Sequence, residues 1–238
     1  MFSFEHQGTA YNYPTALSEI SLGQRIAWQD QYGDALDARA AGLEALADDF
    51  TRELETTDLY VDTAIQTFSF YTGIPLTECA RIEMVQILNL YGAVRPELAE
   101  QEAVIGNSEF QPLHSFKGEL WRIAAPEVKP DSGITFNEFL ISKEVVRQLH
   151  ALGGNTWSAL PYLCAVYLRK DGEPFSESLA QEGSERLNLM LELPMDTALH
   201  VAFFLASSIT TYRNILASSA VAGAADPTWD SSSSGGAG

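Results

Sequence analysis

The chain is poor in basic residues, in cysteine and in histidine, and it has no long apolar run. Each shortage narrows what it can be. Lysine and arginine together number 14 against 32 aspartates and glutamates, a formal net charge of −18 over 238 residues. Such a field repels nucleic-acid phosphates and anionic membrane, and the basic residues are scattered, the closest pair being Arg169-Lys170. Direct nucleic-acid binding is therefore not expected. The acidity reads as a solvated surface. An acidic DNA mimic or inhibitor is kept as an alternative, and it would need carboxylates at regular spacing along one face.

The two cysteines, Cys79 and Cys164, both sit in apolar helical contexts and read better as buried thiols than as a disulfide. Histidines stand at 6, 114, 150 and 200, with no two at helical i, i+4 spacing and none close to a cysteine. A zinc site would have to be assembled from distant positions. No Gly-x-Ser-x-Gly elbow and no phosphate loop is present. Gly153-Gly154-Asn155 could hold an anion on backbone amides, but a turn into a helix explains it more simply. The longest uncharged apolar stretch, Thr197 to Tyr212, is short of a membrane span and is interrupted by His200, Ser207 and Ser208. No basic region followed by an apolar run opens the chain, so a signal peptide is not expected either. These absences leave no catalytic set, no metal, no cofactor and no membrane partner, and the expectation is a soluble protein that is not an enzyme.

What is present is helical periodicity after a short β element. The fold class is read as α+β, predominantly α-helical with a small N-terminal β-hairpin. Phe2, Phe4, Tyr11 and Tyr13 flank Gly8-Thr9 on alternate positions, the pattern of a hairpin, and Glu19 to Trp28 reads as a further short strand. Asp34 is placed to cap a helix carrying Leu36, Leu43, Leu46, Phe50 and Leu54, with Thr56-Thr57-Asp58 ending it. A second helix runs to Gly73, Ile74-Pro75 makes a corner, and a third helix follows to Tyr91, with Pro96 to Asn107 as a connection. Gly118 separates two strands between Phe110 and Pro126. Residues 134–139 read as a short strand or an approach to a helix at 142–152, and a further helix is expected from Leu179 to Leu193. The organisation is read as residues 1–108, the β element with a helical hairpin; 109–217, an α-rich region; and 218–238, a Ser/Gly tail with too little apolar surface to offset ordering.

Two segments are too apolar to stand free in water: Trp157 to Leu168, and Leu193 to Leu205. Their aromatic residues Trp157, Tyr162, Tyr167, Phe203 and Phe204 are the candidate partner-binding set if one face stays open. Core packing is the competing reading of the same residues.

The segment from Ile65 through Phe68-Ser-Phe-Tyr-Thr-Gly73-Ile-Pro75-Leu-Thr-Glu-Cys79, followed by a helix, resembles the helix, Thr-Gly-Ile-Pro, helix corner of tailed-bacteriophage morphogenesis proteins, including tail assembly chaperones. Tyr13-Pro14 to Gln24, Leu160-Pro161-Tyr162 and Leu193-Pro194 are similar to small phage proteins of unassigned role. The resemblance implies a non-enzymatic virion-assembly protein, with other phage proteins as partners, self-association allowed, and a place in the host cytoplasm during assembly. A chaperone would hold an aggregation-prone client on its apolar helices. The alternative is a structural virion protein of the neck, portal region or interior, present in the virion itself.

Overall fold

A two-residue turn sets the first element. Gln7 (φ 51°) and Gly8 (φ 77°) both take left-handed conformations, the type I′ geometry whose twist suits a tight hairpin. Strands β1 (Phe2–His6) and β2 (Thr9–Tyr13) pair antiparallel, with Phe2 opposite Tyr13 and Phe4 opposite Tyr11. That register puts four aromatic rings on one face. The computed structural model describes residues 1–124, 143–144, 147, 156–170, 173–174 and 176–206. The chain divides into two compact units, Met1–Phe203 and Phe204–Gly238, so the division expected at residue 108 falls inside the first. The expected elements at 134–139, the anion turn at 153–155 and the tail from 218 lie outside the described residues. So does the helix at 142–152, except for Lys143, Glu144 and Arg147, which are helical.

The fold is predominantly α-helical α+β. After a 3-10 turn at Leu17–Glu19, helix α1 spans Leu22–Trp28, where a short strand was expected. The deciding signal is a capping box: Gln24 N–H donates to Ser21 Oγ (3.1 Å) and Ser21 N–H to Gln24 Oε1 (2.9 Å). A π-turn over Gln29–Gly33 leads into α2, Asp34–Leu43. Asp34 is therefore not a cap. The chain is already helical at Gly33, and the Asp34 carboxylate accepts from Gln29 Nε2 instead (2.9 Å).

Helix α3, Asp49–Thr72, begins at Asp48, whose side chain accepts from Thr51 N–H (2.7 Å). It runs straight through the expected break at 56–58. The hydroxyls of Thr56 and Thr57 donate to the carbonyls of Arg52 and Glu53 (2.7 and 2.9 Å) and follow the helix instead of leaving it. Gly73 (φ 74°) ends α3 in the left-handed cap conformation. The corner is held from inside, with Ile74 buried and its carbonyl accepting from Ser69 Oγ (2.6 Å).

A single turn, α4 (Leu76–Cys79), precedes α5, Met84–Asn107. The expected connection at 96–107 is thus helix, and Pro96 lies inside it. Proline removes one hydrogen bond and crowds the carbonyl four residues back. Here that residue is Gly92, itself pressed by Tyr60, whose hydroxyl would stand 3.1 Å from an added Cβ.

Strands β3 (Leu113–Phe116) and β4 (Glu119–Ile123) form the second hairpin around Lys117-Gly118, again with both φ values positive. Helix α6 covers Thr156–Tyr167, and β5 (Leu168–Lys170) then pairs with β4, Ile123 facing Leu168. The expected helix at Leu179–Leu193 resolves into a 3-10 turn (Glu177–Ala180) and a short α7 (Glu185–Leu191) capped by Ser184. A last helix, α8, is described over 195–206.

The ends of the first unit are clasped. Leu22 N–H donates to the Leu193 carbonyl (2.8 Å), and Met195 N–H to the Ile20 carbonyl (2.9 Å). One core cluster gathers Tyr13, Phe68, Ile74, Cys79, Ile87 and Tyr91 between β2, α3 and α5. Trp121, Leu168, Cys164, Met190, Leu193 and Val201 are also fully enclosed. Most of both apolar segments is thereby interior. The two cysteines are free and buried, and burial raises both thiols above their ordinary range.

Candidate functional site

Six parts of the first unit meet around a cleft of about 320 Å³. The end of β2 and the segment after it contribute Tyr13, Pro14 and Leu17; α1 gives Arg25 and Trp28; α3 gives Thr67 and Tyr71. Helix α5 gives Tyr91, Arg95 and Glu102, α6 gives Trp157, and α8 gives Met195 and Leu199. The volume lies at the small end of the range for ligand pockets, and an aromatic lining with a few polar groups is their usual make-up.

Local sequence explains how each wall is placed. Leu17 N–H donates to Gln101 Oε1 (2.9 Å), which ties the segment after β2 to α5. Tyr13 stacks on Phe68 with ring centroids 6.0 Å apart and meets Tyr71 edge-on at 6.2 Å. On the far side Tyr91 meets Tyr60 edge-on at 5.4 Å. Three tyrosines from three elements are thus each held by a neighbouring ring.

Arg25 is a charged group in the lining of the cleft. Its guanidinium lies 4.4 Å from the Trp157 ring centroid and 4.9 Å from that of Trp28, stacked on both indoles. Its Nη1 donates to Gln29 Oε1 (2.7 Å), and Gln29 Nε2 donates onward to Asp34 and Asp37 (2.9 Å each). The buried amide therefore links the Arg25 guanidinium to two carboxylates through a chain of hydrogen bonds. Burial pulls the Arg25 pKa below its ordinary value, and the fields of Tyr71, Asp37, Glu102 and Asp34 oppose that pull.

Two enclosed polar atoms on lining residues, Trp28 Nε1 and Thr67 Oγ1, make no hydrogen bond among the described residues. An enclosed, unsatisfied donor is costly to keep. Tyr71 is pushed up to about 12 by burial, with Arg25 acting in the opposite direction. Burial also raises Tyr13 and Tyr91. The phenols therefore stay protonated and can donate as well as accept. The cleft can stack flat groups, cover apolar ones, and satisfy an acceptor at Trp28.

Of the aromatic residues singled out from sequence, only Trp157 lines this cleft. Tyr167 is 4% exposed, so its ring is taken up by the interior and offers no surface. Tyr162 and Phe203 are half-buried, and Phe203 lies against α5, where a Cβ on Gly106 would stand 3.2 Å from its ring. Phe204, also half-buried, belongs to the second unit. Tyr13, Arg25, Trp28, Tyr71 and Tyr91 were not singled out as a site, and their only sequence signal is a set of aromatic residues spread over four elements. No family model matches the chain, and no curated protein or solved structure matches it.

Proposed function

We propose that the chain is a non-enzymatic virion-assembly protein of a tailed bacteriophage, acting as a tail-assembly-chaperone-like factor that holds a partner protein reversibly. The observation that supports this reading is the aromatic cleft. It offers stacking surface and an unsatisfied indole donor, a combination that suits an apolar or aromatic side chain and an adjacent backbone carbonyl of a partner segment. The phage setting rests on the resemblance at the Thr72-Gly73-Ile74-Pro75 corner. The acidic surface keeps such a complex in solution.

Large apolar side chains elsewhere on the first unit extend the contact area. Phe50 and Leu54 stand one turn apart on α3 and are 74% and 52% exposed, and Val85 on α5 is 61% exposed. The test is co-expression with the tail proteins of the same phage, together with mass spectrometry of purified particles. The expected outcome is a higher soluble yield of one tail protein, its loss with Trp157→Ala, and absence of the chain from particles. Stoichiometric presence in particles would establish the structural-protein alternative. No effect on any tail protein would overturn both.

A further inference from the structure

Away from the cleft, His114 of β3 and His200 of α8 bring their rings to a centroid separation of 5.0 Å. Each ring is anchored through one nitrogen. His114 Nε2 bonds the Gln111 carbonyl (2.9 Å), and His200 Nδ1 bonds the Asp196 carbonyl (2.8 Å). A carbonyl oxygen only accepts, so in both rings the bonded nitrogen carries the hydrogen. In the neutral rings His114 Nδ1 and His200 Nε2 therefore hold lone pairs, and neither makes another hydrogen bond among the described residues.

This is the arrangement that prepares a histidine to bind a metal: one N–H fixed by a backbone carbonyl, the other nitrogen left as a σ-donor. The spacing agrees. With metal–nitrogen bonds of about 2.0–2.1 Å, each ring centroid lies about 3.2 Å from the ion, and a tetrahedral angle puts two centroids about 5 Å apart. We propose that His114 and His200 form a two-histidine site for a borderline divalent transition metal such as Zn²⁺ or Ni²⁺, joining the β3–β4 hairpin to α8. Among the described residues no group of three or more His, Cys, Asp and Glu side chains is placed to hold a metal, so water completes the coordination. Asp196 adds negative potential on the His114 side. Imidazole donors favour these ions over the hard cations that carboxylates prefer.

The test is calorimetric titration of the full chain with ZnCl₂ or NiCl₂ alone, with MgCl₂ as the control. The expected result is one saturable ion per chain, lost in His114→Gln and in His200→Gln, kept in His6→Gln, and weakened in acid, where protons compete with the metal for ligand nitrogens. Circular dichroism shows that the variants fold. Should they not, protection of both wild-type histidines from carbethoxylation by Zn²⁺ decides the matter. Absence of saturable binding, equal binding of Mg²⁺, binding that survives in the double variant, or no protection would each overturn the site.

Discussion

Gly23 of α1 stands so close to Leu191 of α7 that a Cβ on it would lie 2.9 Å from the Leu191 carbonyl oxygen and 3.3 Å from the Leu191 Cβ. The near neighbour is backbone, so α1 could not yield without opening the clasp between Leu22 and Leu193.

Gly23→Ala should therefore destabilise the protein by about 1–3 kcal/mol, as overpacking does. Gly42, near the end of α2, has nothing within 4 Å of an added Cβ. Gly42→Ala should raise stability by about 0.5–1 kcal/mol through helix propensity alone. Urea denaturation of the two variants checks the contrast. Equal effects at both positions would contradict the close approach.

Gln29 is 4% exposed and joins Arg25 to Asp34 and Asp37. Gln29→Leu keeps the bulk but leaves the guanidinium and both carboxylates without their shared amide. A loss of about 1.5–3 kcal/mol is expected, the range for hydrogen bonds to charged groups. Gln29→Glu, which keeps only the acceptor toward Arg25 and sets a third acid against Asp34 and Asp37, should not rescue it. Denaturation midpoints of the two variants measure the effect.

Burial lowers the pKa of His114, and the field of His200 adds to this, while the Gln111 carbonyl and Asp196 oppose it. The folded value thus lies below the unfolded one, and the unfolded chain takes up the proton first. The contribution is fully present above about pH 6.5, the ordinary histidine value, and is lost as pH falls through the folded value. Urea midpoints should drop across this window in metal-free buffer, and His114→Gln should flatten that slope. An unchanged slope would count against the burial of this ring.

The cleft tyrosines give the opposite sign at high pH. Burial raises Tyr13, Tyr71 and Tyr91, with Tyr71 at about 12. Their contribution is full below about pH 10, where unfolded phenols begin to ionise, and is lost as pH rises through the folded values. Ultraviolet titration of phenolate should show part of the nine tyrosines ionising only on unfolding. Tyr71→Phe should remove one of these late steps.

Local signals carried the turns well. Gly8 and Gly118 each needed positive φ at one place, and both hairpins lie where the sequence put them. Gly73-Ile74-Pro75 was equally legible, because a left-handed cap followed by proline has few alternatives. The long helices were less so. Thr56, Thr57 and Pro96 are poor helix residues taken singly, yet α3 and α5 run through them because packing on the aromatic hairpin and on each other outweighs local propensity. Strand β5 could not be read at all, since three residues become a strand only beside β4. The cleft was illegible for the same reason: Arg25, Tyr71, Tyr91 and Trp157 have no spacing in common and meet only once the fold exists.

The clasp of Leu22 on Leu193 also sets a timetable for synthesis. The hairpin, α3 and α5 have their partners once residue 107 has been made, so that part can settle while the ribosome is still at work. Leu22, wholly enclosed in the finished protein, must wait for a segment near the far end. At typical elongation rates the delay is on the order of ten seconds or more. During that interval α1 presents an apolar side to the cell, and a nascent chain stalled before residue 193 would keep it bare.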